Sequence, residues 1–224
     1  MTQIHQFVFN DFLENTYILW DETRDCVIID PGCYYANERE DLKKFITGNN
    51  LNPKLLLNTH CHIDHITGNK WVKENYQIPL YAHQADLYLL NAAQATASMY
   101  GLFVETSPQP DRFIAEGEII SFGSSTFKVL EAPGHSPGSV CFYNQAGNII
   151  ISGDVLFRNS IGRFDLPGGD YETLMKSIFN KLLILSDDIR VYSGHGPATT
   201  IGEEKRLNPF IKEYESENRM KKTR

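Results

Sequence analysis

The sequence predicts an α+β fold in which two packed β-sheets carry helices on their outer sides. Two observations predict it. Short runs rich in β-branched and aromatic residues open the chain and recur in its second half, and segments of helical periodicity punctuate both groups. No stretch has the composition of a linker or a low-complexity tract. The 224 residues are therefore expected to form one domain, 1–224, long enough to bury a sizeable core.

Strands are expected first at 4–9, 16–20 and 26–30, bounded by turn formers such as Asp21-Glu22 and Pro31-Gly32. A helix follows over 37–46, with Leu42, Phe45 and Ile46 on one face and charges on the other. Residues 54–57 read as a buried strand, 69–76 as a helix and 80–82 as a short strand. The alanine- and leucine-rich stretch 84–97 reads as a further helix. In the second half, strands are expected at 119–122, 126–131, 139–143 and 148–152. A helix over 171–185 has Leu174, Ile178, Leu182 and Leu185 in its apolar stripe, and one more strand lies at 190–193. Residues 212–224 are expected as a frayed polar C-terminal tail.

Composition narrows the function. Net charge is −7, and the only basic cluster is Arg219-Met220-Lys221-Lys222-Thr223-Arg224, so no nucleic-acid partner is expected. No apolar run approaches the ~20 residues of a membrane span, and the start of the chain lacks a signal peptide's basic and apolar regions. No membrane partner is expected, and the cytoplasm is the default compartment. Cys26, Cys33, Cys61 and Cys141 show no paired CxxC spacing. Cys26 and Cys141 read as reduced core residues, and alternation points Cys61 away from its ligand-bearing neighbours.

The densest chemical signal is His60-Cys61-His62-Ile63-Asp64-His65, which holds three of the seven histidines directly after the apolar run Leu55-Leu56-Leu57. Imidazole and carboxylate at this density suit a borderline transition metal such as zinc, iron or manganese. A buried strand ending at Asn58 would deliver a tight loop whose alternate side chains, His60, His62 and Asp64, turn toward one point. His65 then falls near the start of a helix. Three more strand-like runs stop at small, glycine-flanked loops bearing one metal-capable side chain: His135 after Pro133-Gly134, Asp154 after Gly153, and His195 between Gly194 and Gly196. Glycine there lets the backbone turn sharply and approach a crowded site.

Taken together, these residues resemble the metallo-β-lactamase superfamily. The likeness runs from Asn15-Thr16-Tyr17-Ile18-Leu19 through Asp30-Pro31-Gly32 and the HxHxDH motif to Gly194-His195-Gly196-Pro197. Gly162-Arg163-Phe164-Asp165-Leu166-Pro167-Gly168-Gly169-Asp170 and Thr199-Thr200-Ile201-Gly202-Glu203 are similar to the glyoxalase II branch, the hydroxyacylglutathione hydrolases, and to its short single-domain members. The resemblance implies a four-layer αββα sandwich with a dinuclear site at one sheet edge. It implies that His60, His62 and His135 hold one metal, that Asp64, His65 and His195 hold a second, and that Asp154 bridges them. Two divalent ions follow, zinc first, with iron or manganese able to substitute. Zinc-dependent β-lactamases place cysteine or serine at the position of Asp154, so antibiotic hydrolysis is not expected.

The chemistry implied is hydrolysis of S-D-lactoylglutathione or a related small acyl thioester by a metal-bridging hydroxide. Asp64 takes a catalytic role as well, orienting that hydroxide. Arg163 stands where the branch has a basic substrate-binding residue, but the accompanying tyrosine position is Asp165, and Arg163 reads equally as a structural partner of Asp165 or Asp170. Only about thirty residues follow His195, too few for the helical glutathione-binding domain of two-domain members. A mononuclear-iron persulfide dioxygenase and a metal-stabilised non-catalytic domain are the alternatives. The oligomeric state stays open.

Overall fold

The computed structural model describes residues 2–222. Strands β1 (Gln3–Phe9), β2 (Glu14–Trp20) and β3 (Asp25–Ile29) pair antiparallel. From β3 onward, β4 (Asn52–Leu57), β5 (Leu80–His83) and β6 (Arg112–Ile114) add parallel neighbours, completing a six-stranded sheet in chain order. Parallel neighbours need crossovers. Helix α1 (Ala36–Gly48) supplies one between β3 and β4, and α2 (Ile63–Ile66) with α3 (Asn69–Tyr76) another between β4 and β5. One turn of 3₁₀ helix (Gln84–Asp86) and α4 (Leu87–Met99) lie between β5 and β6.

The second sheet starts with β7 (Ile119–Phe122), β8 (Ser125–Glu131), β9 (Val140–Asn144) and β10 (Ile149–Gly153), all antiparallel. A small ribbon, β11 (Leu156–Phe157) and β12 (Ser160–Ile161), follows, and then helix α5 (Tyr171–Ser177). Strand β13 (Arg190–Ser193) joins β10 in parallel, and β14 (Thr199–Thr200) closes the edge. Helices α6 (Ile201–Leu207) and α7 (Pro209–Lys222) end the described chain.

Two mixed sheets thus face one another. Tyr17, Leu19, Val27 and Leu57 from the first meet Phe127, Val129, Phe142 and Ile151 from the second in a shared core. The opposite side of each strand is apolar too. Ile18, Trp20, Ile28 and Leu56 pack under α1 and α3 with Leu42, Ile46 and Val72. Leu130, Cys141 and Ile150 pack under Leu174, Ile178 and Leu182. Burial on both faces explains why the central strands read as near-continuous hydrophobic runs, and it gives the helix–sheet–sheet–helix layering.

Two expectations change. The helix expected over 171–185 is α-helical only to Ser177. It then widens into a π-turn, Ile178–Leu182, in which the Leu183 N–H donates to the Ile178 carbonyl and Leu182 stays fully buried. Residues 212–222, expected as a frayed tail, continue α7. Ile211 is buried, and the Tyr214 ring packs 5.1 Å from that of Phe179, which anchors the helix to the outer layer. Positions 223 and 224 of the expected tail lie outside the described residues. All four cysteines are free and buried. No helix among the described residues is long and apolar enough to cross a membrane.

Candidate metal centre

β4 ends at Leu57, and the chain turns through Asn58 and Thr59 into the histidine motif. Asp30, at the end of the neighbouring β3, sits in left-handed backbone (φ 49°), a conformation that aspartate tolerates better than most residues. From there its carboxylate accepts the Thr59 N–H (2.7 Å), the Thr59 hydroxyl (2.5 Å) and His65 Nδ1–H (3.2 Å). Because the Thr59 hydroxyl donates to Asp30, its oxygen is free to accept from His60 Nδ1 at 3.1 Å. One carboxylate therefore fixes the tautomers of both His60 and His65 and leaves their Nε2 atoms facing the centre.

The sequence-expected ligands converge in two groups of three, His60 with His62 and His135, and Asp64 with His65 and His195. In the first, His135 Nε2 lies 2.8 Å from His62 Nδ1 and 3.3 Å from His60 Nε2. In the second, Asp64 Oδ2 lies 3.1 Å from His195 Nε2 and 3.5 Å from His65 Nε2. Asp154, at the end of β10, stands between them. Its Oδ2 is 3.5 Å from both His135 Nε2 and His195 Nε2, and its Oδ1 is 3.5 Å from His65 Nε2. Backbone carbonyls orient the outer rings: His135 Nδ1–H donates to Arg163 at 2.7 Å, and His195 Nδ1–H to Phe12 and Leu13 at 3.1 and 3.2 Å. A third grouping, Asp30 with His60 and His65, shares the same rings, and its carboxylate is already taken by Thr59 and His65.

Two glycines make the approach possible. A Cβ on Gly194 would overlap Asp154 Oδ1 and come within 2.7 Å of His65 Cε1. Gly134 has φ +130° and packs against the Leu174 backbone.

Burial and the surrounding imidazoles hold His60 well below the ordinary histidine range, and burial with His135 alongside brings His62 down to about 4. Burial would lower His65 as well, but Asp64 and Asp154 outweigh it and push that ring well above 6.5; His195 is raised against burial by the same two carboxylates. Burial would raise Asp64 and Asp154, yet the His65 charge wins and both carboxyls are held low. His65 Nε2 and Asp154 Oδ1 are buried without a hydrogen-bond partner among the described residues. Inward ring nitrogens, ionised carboxylates and two orphaned polar atoms between them fit divalent cations, which favour this nitrogen and oxygen donor set and would take the place of the His65 Nε2 proton.

The sequence model of the metallo-beta-lactamase superfamily matches residues 10–195. The chain belongs to this superfamily. As a metallo-β-lactamase superfamily hydrolase, it is 41% identical over 202 residues to a hydroxyacylglutathione hydrolase, GloC, of Haemophilus influenzae, covering 89% of this chain and 93% of that one. Two solved structures share its fold: BLEG-1, a B3 metallo-beta-lactamase, at 38% identity and a TM-score of 0.86, covering 93% of this chain and 99% of that one, and TTHA1623 in a di-iron-bound form, at 40% and 0.82, covering 92% and 99%.

In this superfamily member Arg163 borders the same cavity as the cluster, but its fork is engaged. Nε and Nη2 each donate to Asp165 at 2.9 Å, the pairing that one of the two sequence readings of Arg163 expected. Sequence reasoning missed the supports behind the ligands. Glu14 is fully buried 3.7 Å from His65 Nδ1, and burial drives its carboxyl well above the usual range. Asn15 donates to the Ser193 and Gly196 carbonyls on either side of His195. Asp86 braces the loops of His60, His62 and His135. Asn15 was visible in the run that carries the resemblance, whereas Glu14 and Asp86 had no local signature.

Proposed function

We propose that the protein is a dinuclear metallohydrolase of the glyoxalase II type that cleaves a small acyl thioester. The observation supporting it is the position of Asp154, one carboxylate within 3.5 Å of ring nitrogens from both triads. His60, His62 and His135 would hold one ion, Asp64, His65 and His195 the other, and Asp154 both, with zinc the first candidate and iron or manganese able to substitute. When bound, such a pair draws charge from a carbonyl oxygen and lowers the pKa of water toward neutrality, so that a hydroxide nucleophile is available.

The chain's own groups do the rest. Asp64, ionised and at the edge of the cavity, accepts a hydrogen bond from the attacking oxygen and orients it toward the carbonyl carbon. The Arg163, Phe12 and Leu13 carbonyls keep the His135 and His195 rings from turning as charge builds. In the net reaction the C–S bond breaks, a C–O bond forms, and the thiol leaves as thiolate. With a thiol pKa near ~8.5, it departs without a dedicated general acid.

Elemental analysis of protein purified without added metal, paired with hydrolysis of S-D-lactoylglutathione, tests the reading. Two ions per chain and metal-dependent release of thiol are expected; one ion at saturation, or no turnover of any acyl thioester, refutes it. The likeness to BLEG-1 favours a second reading, β-lactam hydrolysis, and a chromogenic cephalosporin in the same assay separates the two.

A further inference from the structure

Beside the two triads lies a cavity of about 440 Å³ whose outer walls are largely hydrocarbon, with the hydroxyls of Thr96 and Ser160 among them. Phe12 from the β1–β2 loop, Leu89 and Tyr100 from α4 and its C-cap, Phe157 and Ile161 from the β11–β12 ribbon, and Leu166 line it. Helix α4 carries no Asp, Glu, Lys or Arg from Leu87 to Met99. Leu90, Ala93 and Ala97 use its apolar face against the protein, while Leu89, Thr96 and Tyr100 face the cavity. Tyr88 Oη donates to the Pro167 carbonyl at 2.9 Å and holds the opposite wall against the helix.

The cavity has one lysine or arginine in its lining, Arg163, and Asp165 occupies the Nε–Nη2 edge of that guanidinium. A thiol bearing carboxylates must displace Asp165 to pair with that edge, or approach the Nη1 end with the Asp165 charge alongside. A neutral apolar thiol meets neither cost and gains contact with the hydrocarbon walls.

Resting on the thioesterase reading, we propose that the substrate is a thioester of a neutral, apolar thiol. Asp165 is the specificity-determining residue, disfavouring carboxylate-bearing thiols such as glutathione by holding the Nε–Nη2 edge of Arg163 and setting its own charge beside the rest. The pair is exposed, 57% and 65%, so releasing it changes selectivity by a modest factor.

The test gives the metal-loaded full chain two substrates with the same lactoyl group, one on benzyl mercaptan and one on glutathione. The expected kcat/KM favours the benzyl thioester by about tenfold or more, mainly through KM. Asp165→Asn should narrow that ratio about threefold by lowering KM for the glutathione thioester, and Leu89→Asp should narrow it from the other side by raising KM for the benzyl one. Equal or reversed preference, or a ratio that Asp165→Asn does not move, overturns the proposal. Calorimetric binding of ethyl benzyl sulfide and S-ethylglutathione to the same protein separates it from the thioesterase reading. If neither thioester is cleaved but the benzyl sulfide binds more tightly, the reaction assigned to the site falls and the apolar subsite stands. If neither is cleaved and S-ethylglutathione binds at least as tightly, both fall.

Discussion

Asp86 Oδ2 accepts the backbone N–H of Cys61 at 3.0 Å, in the middle of the histidine motif and 25 residues away in the chain. The same carboxylate accepts the Gly138 N–H at 2.6 Å and the Ser136 hydroxyl at 2.8 Å, just beyond His135. One fully buried group thereby locks the His60–His62 loop to the His135 loop, and so sets the spacing of the first triad. Burial raises its pKa, against the hydrogen bonds that favour the charged form. Asp86→Ala would strand these donors in the interior, at a cost of about 3 kcal/mol. Urea denaturation should register that loss, and calorimetry should register weaker binding of one ion. An unchanged isotherm at reduced stability would confine Asp86 to folding.

Asp154→Ala should reduce kcat/KM more than any single histidine replacement, because the carboxylate lies within reach of both triads. Removing it leaves two cations facing each other with less negative charge between them. His65→Ala is the comparison, since it deletes a donor from one triad only. Kinetics and metal content of both variants decide the matter, and a smaller loss in Asp154→Ala would count against a shared ligand.

Far from the site, Asp21 ties the end of β2 to the β7–β8 turn. Its carboxylate accepts from the Thr23 N–H and hydroxyl, the Ser124 N–H and the Ser125 hydroxyl. Burial works to raise its pKa, but these hydrogen bonds prevail and lower it. A carboxyl whose folded pKa is depressed binds its proton in the unfolded state first. Its contribution is therefore present above pH ~4 and is lost as pH falls through the lower, folded value. Asp21→Ala should cost about 2 kcal/mol at pH 7, and the gap to the unaltered protein should shrink at pH 3. Urea denaturation at the two pH values measures it; a constant gap would show that the loss is one of packing.

The residues that converge in the cluster were legible because four of them fall within six consecutive positions and the other three each follow a strand and a glycine, signals that survive in one dimension. The layering was legible for a similar reason: buried-on-both-faces strands leave unbroken apolar runs. What holds them in place was legible only as membership of a matching run, for Asn15 and Asp30, or not at all, for Glu14 and Asp86. Asp30 reaches His65 across 35 residues and Asp86 reaches Gly138 across 52, and a lone carboxylate at a strand or helix end looks like any turn residue until the fold closes. Arg163 was read two ways, as a substrate-binding residue and as a partner of Asp165 or Asp170, and the carboxylate two positions on does pair with it. The continued helix at the C-terminus was missed because Ile211 and Tyr214 are few among polar neighbours, and Tyr214 packs on Phe179, distant in the chain.

Gly194→Ala offers a test of the metal geometry that removes no ligand. The added methyl would overlap Asp154 Oδ1 and lie 2.7 Å from His65 Cε1, so the Asp154 carboxylate must swing aside. The backbone itself resists little, because Gly194 is not among the glycines with positive φ, and alanine there should reduce unfolded-state entropy slightly. Strain therefore concentrates on one carboxylate and one ring. The variant should fold, with near-unchanged far-ultraviolet circular dichroism, and should lose affinity for one ion by about tenfold or more, since a displaced ligand costs at least 1.4 kcal/mol. Binding isotherms for two ions identical to those of the unaltered protein would mean that Asp154 is not held where both triads can share it.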